Sequence, residues 1–273
     1  MKLLAAVVQM TSRSDLSDNL VRAEALIAEA AARGAQLVGL PENFALFARD
    51  DAERQRHAEV HEGPEAGRGP IITALSAAAR KYGVALVLGG MPERGPEANA
   101  YNSAVYLSAD GEITAVYRKI HLFDVAIPDG ATYAESATTA GGKALVVVDT
   151  PWAKLGLSVC YDVRFPELYR ELAKRGAEVL TVPAAFTQHT GRDHWHVLLR
   201  ARAIENLAYV LAPAQFGANT AKRTTYGHAL IVDPWGQVIA EVGDHEGVAV
   251  AELDFAYQAT VRQQLPSLTH RRM

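Results

Sequence analysis

Apolar positions along the chain recur in two rhythms, and their alternation lays out the elements. Leu3 to Met10 is an apolar run interrupted only by Gln9, the pattern of a strand buried on both faces. Asp15 to Arg33 then places Leu20, Ala23, Leu26, Ile27 and Ala30 at helical spacing, and Gly34 supplies the stop. Gln36 to Leu40 predicts a second strand, closed by Pro41-Glu42-Asn43. After a polar stretch from Arg49 to Arg68, a helix around Ile71 to Tyr82 precedes a strand at Val84 to Leu88. Asn102 to Lys119 alternates on either side of Asp110-Gly111 and predicts a hairpin. Strands are expected at Lys143 to Val148, Leu155 to Cys160, Glu178 to Val182 and Ala208 to Pro213, with helices from Pro166 to about Arg175 and from Asp193 to Asn206. His228 to Val242 predicts a second hairpin around Pro234-Trp235-Gly236, Gly247 to Leu253 a last strand, and Pro266 to Met273 a basic tail.

One internal echo shapes the fold class. Ala31-Ala-Arg-Gly-Ala-Gln-Leu-Val-Gly-Leu-Pro-Glu-Asn-Phe44 aligns without gaps against Ala173-Lys-Arg-Gly-Ala-Glu-Val-Leu-Thr-Val-Pro-Ala-Ala-Phe186. A strand-helix-strand plan used twice, together with two hairpins, predicts an α/β fold of two mixed sheets packed face to face with helices outside. In that alignment Glu42 falls opposite Ala184, so the local frame itself does not require a carboxylate.

Composition narrows the partners. A chain of 273 residues, 49% hydrophobic, can bury a large core. Its net charge of −4 offers no footprint for nucleic acid, and no basic run suggests a membrane surface. No apolar stretch reaches the roughly 18 residues of a membrane span, and the apolar N-terminus reads as a strand rather than a signal peptide. One cysteine can form neither an internal disulfide nor a thiolate metal cage, which fits a reducing, cytoplasmic setting. There is no phosphate loop or dinucleotide fingerprint, and no cofactor is expected. A metal site is not expected either: His57 and His61 have no clear third ligand, and His194 and His196 point to different faces of their helix. Small molecules remain as the partner class.

Three polar residues follow strand-like runs: Glu42, Lys119 and Cys160. A thiol attacks as its thiolate and needs a base or a positive neighbour. Glu42 can take the proton and Lys119 can supply the positive field, whereas taken singly each has an ordinary structural reading.

The motifs Leu40-Pro-Glu-Asn43, Tyr117-Arg-Lys-Ile-His-Leu-Phe-Asp124 and Gly156-Leu-Ser-Val-Cys-Tyr-Asp-Val-Arg-Phe-Pro-Glu167 resemble those of the nitrilase, or carbon-nitrogen hydrolase, superfamily. The resemblance covers nearly the whole chain. It implies a four-layer αββα sandwich, a single domain over residues 1–273 with a C-terminal tail from about 262, and homodimers or larger homo-oligomers formed through the sheet-flanking helices. It also implies a catalytic Glu42, Lys119 and Cys160, a second glutamate at Glu135, and an oxyanion donor in the backbone N–H of Tyr161.

Cys-Tyr-Asp-x-Arg-Phe-Pro-Glu, Tyr226-Gly-His and Val232-Asp-Pro-Trp-Gly are most similar to the branch of amidases acting on deaminated glutathione. Such a substrate is an amide with carboxylate groups. Arg164 is placed to bind one of them, with an ion pair to Asp162 or Glu167 as the alternative, and Phe186 and Thr190 resemble pocket residues. Where basic or histidine residues are expected after Gln215-Phe216-Gly217, Ala218-Asn219-Thr220 stands instead. An ω-amidase acting on α-ketoglutaramate, another aliphatic amidase, a nitrilase or a carbamoylase, and a non-catalytic thiol sensor or scaffold remain the competing readings.

Overall fold

The N-terminal apolar run forms β1 (Lys2–Met10), followed by α1 (Leu16–Ala32), whose first turn is capped by the Asp15 carboxylate accepting from the Asp18 N–H at 3.0 Å. Gly34 ends this helix in the left-handed conformation, at φ 86°, and β2 (Leu37–Gly39) follows. In this computed structural model, which describes residues 1–96, 99–126 and 132–272, the first half continues with α2 (Asp51–Arg56), α3 (Pro70–Tyr82), β3 (Ala85–Arg94), β4 (Ala100–Leu107) and β5 (Ile113–Arg118). Two short antiparallel strands, β6 (Asp124–Ala126) and β7 (Thr132–Ala134), and then β8 (Thr139–Ala140), lead to the second half. That half runs β9 (Val147–Asp149), β10 (Lys154–Leu157), α4 (Pro166–Lys174), β11 (Val179–Thr181), α5 (Gln188–Asn206) and β12 (Tyr209–Ala212). The chain ends with β13 (Ala214–Thr220), β14 (Arg223–Tyr226), β15 (Leu230–Val232), β16 (Val238–Glu241), β17 (Gly247–Asp254) and α6 (Phe255–Gln264).

Two mixed sheets result. One has the order β14-β13-β1-β2-β3-β4-β5, with β17 beside β1 and β8 beside β4; the other is β16-β15-β12-β11-β10-β9. Alternation along β1 explains the layering, since successive side chains point to opposite faces. Leu3, Ala5 and Val7 join Leu155, Leu157 and Val179 in the core between the sheets, whereas Ala6 and Val8 pack with Ile27, Ala30, Ile71 and Leu75 of α1 and α3. Leu168 and Leu172 of α4 and Trp195 and Leu199 of α5 cover the outer face of the second sheet. The layers are therefore α, β, β, α, the expected sandwich. No helix among the described residues is long and apolar enough to cross a membrane.

The repeated segment has the same local geometry in both copies. β1, β2 and β3 are parallel neighbours, and so are β10, β11 and β12. Four residues, 33–36 and 175–178, separate helix from strand in each copy, and Gly34 and Gly176 both take left-handed φ, at 86° and 91°.

Several boundaries differ from the expected ones, each for a local reason. The strand expected to reach Cys160 stops at Leu157, because residues 160–164 turn into a 3₁₀ helix. α5 begins at Gln188 rather than Asp193, since the Thr187 hydroxyl caps it by accepting from the Thr190 N–H at 3.3 Å. The strand expected at Lys143 to Val148 is confined to Val147–Asp149. α2, the β13–β14 hairpin and α6 lie in stretches too polar or too short for their periodicity to stand out. Met273, the end of the expected tail, lies outside the described residues.

The β3–β4 register shifts between Leu88 and Met91, so the bulge falls on Gly89-Gly90. A Cβ on Gly89 would sit 2.4 Å from the Leu40 carbonyl oxygen and 2.5 Å from the Pro183 side chain, between the two copies of the repeated strand end. Gly89→Ala is expected to destabilise the fold by about 1–3 kcal/mol through overpacking, read as a lower urea midpoint; an unchanged midpoint would contradict this close approach.

Candidate active site

Cys160 stands on a sharp turn after β10. The Ser158 hydroxyl donates to the Thr181 carbonyl at 2.7 Å, the Cys160 N–H donates to the Pro183 carbonyl at 2.9 Å, and Cys160 itself takes φ 50°. A left-handed φ is costly for a residue with a Cβ and persists where the surroundings impose it. Asp162 is one such restraint. Fully buried, its carboxylate accepts from the Val159 N–H (2.9 Å), the Tyr117 hydroxyl (2.7 Å) and the His121 N–H (3.0 Å), and its Oδ1 lies 2.7 Å from His121 Nδ1. The turn is thereby fastened to the end of β5, the segment that carries Lys119.

The expected partners meet at this turn. Lys119, 2% exposed, donates through Nζ to Glu42 Oε1 at 3.0 Å and to the two Glu135 oxygens at 3.1 and 2.8 Å. Glu42, which follows β2 and Pro41, also accepts from the Ala185 N–H at 3.1 Å. Glu135 accepts from the Phe123 N–H at 2.7 Å. Burial pushes the Glu135 carboxyl up, but Lys119 and the N–H donors outweigh it and hold the group below the usual carboxylate range. For Lys119, burial disfavours the ammonium and the two carboxylates more than restore it.

Two glutamates and one ammonium thus surround the Cys160 thiol. Burial and the Glu42 carboxylate push Cys160 well above its ordinary range, and Lys119 offsets this only in part. This direction favours the protonated thiol. Tyr161 follows in the first turn of the 3₁₀ helix, where backbone N–H groups have no intrahelical acceptor.

A cavity of about 450 Å³ opens over Cys160, a size suited to a small molecule. Phe186 and Thr190 line it, as does Arg164. Arg164 makes no ion pair with Asp162 or Glu167: Asp162 is taken by the donors above, and the guanidinium lies over Phe186 (5.1 Å) and Tyr161 (5.9 Å), with His194 Nδ1 at 3.3 Å.

Three lining residues were not legible as site residues in the sequence. Asn102, at the start of β4, donates through Nδ2 to Glu42 (2.9 Å) and Glu135 (3.1 Å), holding the carboxylates at a fixed separation. Arg54 of α2 donates to the Thr139 hydroxyl at 2.5 Å, and Arg223 of β14 donates to the Ala185 carbonyl at 3.0 Å and lies over Tyr133 (5.0 Å) and Phe47 (5.4 Å). Among the described residues, Arg164 and Arg223 have no carboxylate partner, in contrast to Arg49 at the same cavity, which pairs with Glu53 at 2.6 Å, and to Arg54, which lies in the field of Glu135, Glu42 and Asp51. Burial pulls Arg54 and Arg164 below the usual guanidinium value. The one sequence signal for Asn102 is a polar residue opening a largely apolar strand. Arg54 lies in a stretch crowded with charges, and Arg223 reaches the cavity only through the β13–β14 hairpin.

Comparison with known proteins places this arrangement in context. A family described as carbon-nitrogen hydrolase matches residues 4–263. A deaminated glutathione amidase of Synechocystis sp. is 48% identical over 272 residues, covering 98% of this chain and 97% of that protein. The crystal structure of the C. elegans NitFhit protein superposes with a TM-score of 0.91 at 41% identity, over 99% of this chain and 65% of that longer one. Saccharomyces cerevisiae Nit3, a member of branch 10 of the nitrilase superfamily, superposes with a TM-score of 0.87 at 34% identity, over 97% of this chain and 94% of that one.

The charge balance of the cluster has a measurable sign. Replacing Glu42 by Gln removes the charge that raises the Cys160 thiol and leaves Lys119 in place, so the midpoint for alkylation of Cys160 by iodoacetamide is expected to move to lower pH even though the base is gone. A midpoint that stays or rises would show that Glu42 is not the group holding the thiol protonated.

Proposed function

The chain belongs to the carbon-nitrogen hydrolase family, and from that premise we propose that it cleaves deaminated glutathione to α-ketoglutarate and cysteinylglycine through a thioester on Cys160. Glu42 takes the thiol proton as sulfur bonds to the amide carbon, and the carbonyl electrons collect on oxygen. The Lys119 ammonium and the Tyr161 N–H stabilise that oxyanion; removing one such donor typically costs about 3–4 kcal/mol of barrier. Glu42 then gives its proton to the departing nitrogen as the carbon-nitrogen bond breaks, leaving the acyl group on sulfur. Water enters, Glu42 accepts one of its protons, and collapse of the second tetrahedral adduct returns that proton to sulfur and releases the acid. Glu135 orients Lys119 and keeps it charged throughout.

The observation that carries the substrate is the pair of guanidiniums, Arg164 and Arg223, without carboxylate partners in one small cavity. Buried or half-buried arginines are normally paired, so a cavity that leaves two unpaired is suited to a dianion. Deaminated glutathione carries two carboxylates, one at the keto-acid end and one at the glycine end. In this reading Arg164 binds the keto-acid carboxylate against Phe186 and Thr190, and Arg223 serves the peptide end, standing in for the basic residues absent at Ala218-Asn219-Thr220. The relatives named for the same substrate support the choice.

α-Ketoglutaramate has only the keto-acid carboxylate, which separates the two guanidiniums. Loss of a charge-assisted hydrogen bond is worth about 1.5–3 kcal/mol, roughly 10- to 100-fold. Arg164→Ala is therefore expected to raise KM for both keto-acid amides by about that factor and to spare neutral amides. Arg223→Ala should raise KM for deaminated glutathione alone. Steady-state assays of both variants on the same panel decide this; equal effects of Arg223→Ala on the two keto-acid amides, or higher turnover of α-ketoglutaramate than of deaminated glutathione by the parent chain, would contradict the assignment.

A further inference from the structure

Outside the cavity, two imidazoles and a carboxylate from three separate elements converge. His196 comes from α5, His228 from the connection between β14 and β15, and Glu241 from the end of β16. His196 Nε2 lies 2.9 Å and His228 Nδ1 2.7 Å from the same oxygen, Glu241 Oε1, and the three atoms all lie within 4.8 Å of one another. His194 turns away from this group to Arg164, as expected for alternate residues of a helix, but His196 finds its companions on distant parts of the chain.

His228 is held in place by several restraints. It takes φ 58°, directly after Gly227 at φ 81°; its carbonyl accepts from Trp195 Nε1 at 2.8 Å; and its ring stacks on Tyr226 at 4.5 Å. A non-glycine residue in the left-handed region marks a position where the fold imposes a particular direction on the side chain. The second ring nitrogen of His228, Nε2, lies 3.4 Å from Asp244 Oδ1. Both nitrogens thus face carboxylates, which only accept. A dipositive ion at the meeting point can be bound by all three donor atoms at once, with His228 Nε2–H directed at Asp244, the carboxylate-histidine-metal arrangement that fixes the tautomer of a ligating ring.

We propose that His196, His228 and Glu241 form a binding site for a divalent transition-metal ion, with Asp244 orienting His228. Two imidazoles and one carboxylate suit borderline ions such as Zn²⁺ or Co²⁺ over Mg²⁺ or Ca²⁺. Ligand bonds of about 2.0–2.1 Å meeting at the tetrahedral angle put neighbouring donor atoms about 3.3–3.4 Å apart, so the two nitrogen-oxygen contacts of 2.9 and 2.7 Å open by about half an ångström as the ion enters. Side-chain exposures of 32% for His196, 22% for His228 and 33% for Glu241 leave room for water to complete the coordination shell. The ion would clamp α5 to β16. Because the first turn of α5 carries Thr190 at the cavity, this clamp acts on the fold around the site and takes no part in the chemistry.

The test uses the full-length, untagged Cys160→Ala chain, which removes the thiol as a competing ligand, stripped with chelator and titrated with CoCl₂ by visible absorption and with ZnCl₂ by calorimetry and thermal melting. The expected result is one saturable equivalent per chain, Co²⁺ d–d bands and a higher melting temperature with Zn²⁺. His196→Asn and Glu241→Gln should each abolish that equivalent with an unchanged circular dichroism spectrum. Asp244→Asn should weaken it about 10- to 100-fold. Absence of saturable binding of either ion, or binding retained by both His196→Asn and Glu241→Gln, would overturn the proposal.

Discussion

The buried ammonium of Lys119, held between Glu42 and Glu135, is the interaction around which the site is built. Taking one cation and two carboxylates out of water is expensive, and attraction between them offsets the cost only when the remaining donors and acceptors are also satisfied. Here the Ala185 N–H, the Phe123 N–H and the Asn102 amide supply those bonds. The same set acts on the thiol: burial and the Glu42 carboxylate push Cys160 well above its ordinary range, which is the basis for the proposed coupling of attack to proton transfer to Glu42.

The two copies of the strand-helix-strand plan make this cluster possible. The first copy ends in Pro41-Glu42 and contributes a side chain, while the second ends in Pro183-Ala184-Ala185 and contributes a backbone N–H to that same carboxylate. Cys160 follows the first strand of the second copy and hydrogen-bonds to the Pro183 carbonyl. Gly89 and Gly90 fill the narrow place between the copies; a Cβ on Gly90 would lie 2.2 Å from Asn102 Oδ1 and 3.0 Å from Glu42 Cγ. Packing of the two sheets and positioning of the reactive groups are consequently one problem, solved at the strand ends.

Much of this was legible in the sequence where the signal is local. The strands of the repeat, α1, α3 and α4 follow from periodicity, caps and glycine stops, and the gapless match between the copies predicted two similar sheets. The identity of Glu42 as an exception was visible because its repeat partner is alanine. What escaped notice depends on distance along the chain. Asn102 acquires meaning only when β4 is laid beside β3, and Arg54 only when α2 folds over the cavity. The strand reading for Cys160 failed because its φ of 50° is imposed by Asp162 and its partners Tyr117 and His121, more than 40 residues earlier. A window of neighbouring residues contains Asp162 but not the partners that hold it in place.

The most direct test of the account is to trap the acyl group. With enzyme in excess over the amide it hydrolyses fastest, reactions quenched in acid at successive times can be digested and mapped by mass spectrometry. The account predicts a transient gain equal to the acyl part of the substrate, confined to the peptide containing Cys160 and removed by hydroxylamine, rising before free acid appears and then decaying. Free acid accumulating from the earliest quench with that peptide unmodified, or the acyl group found on another residue, would contradict it.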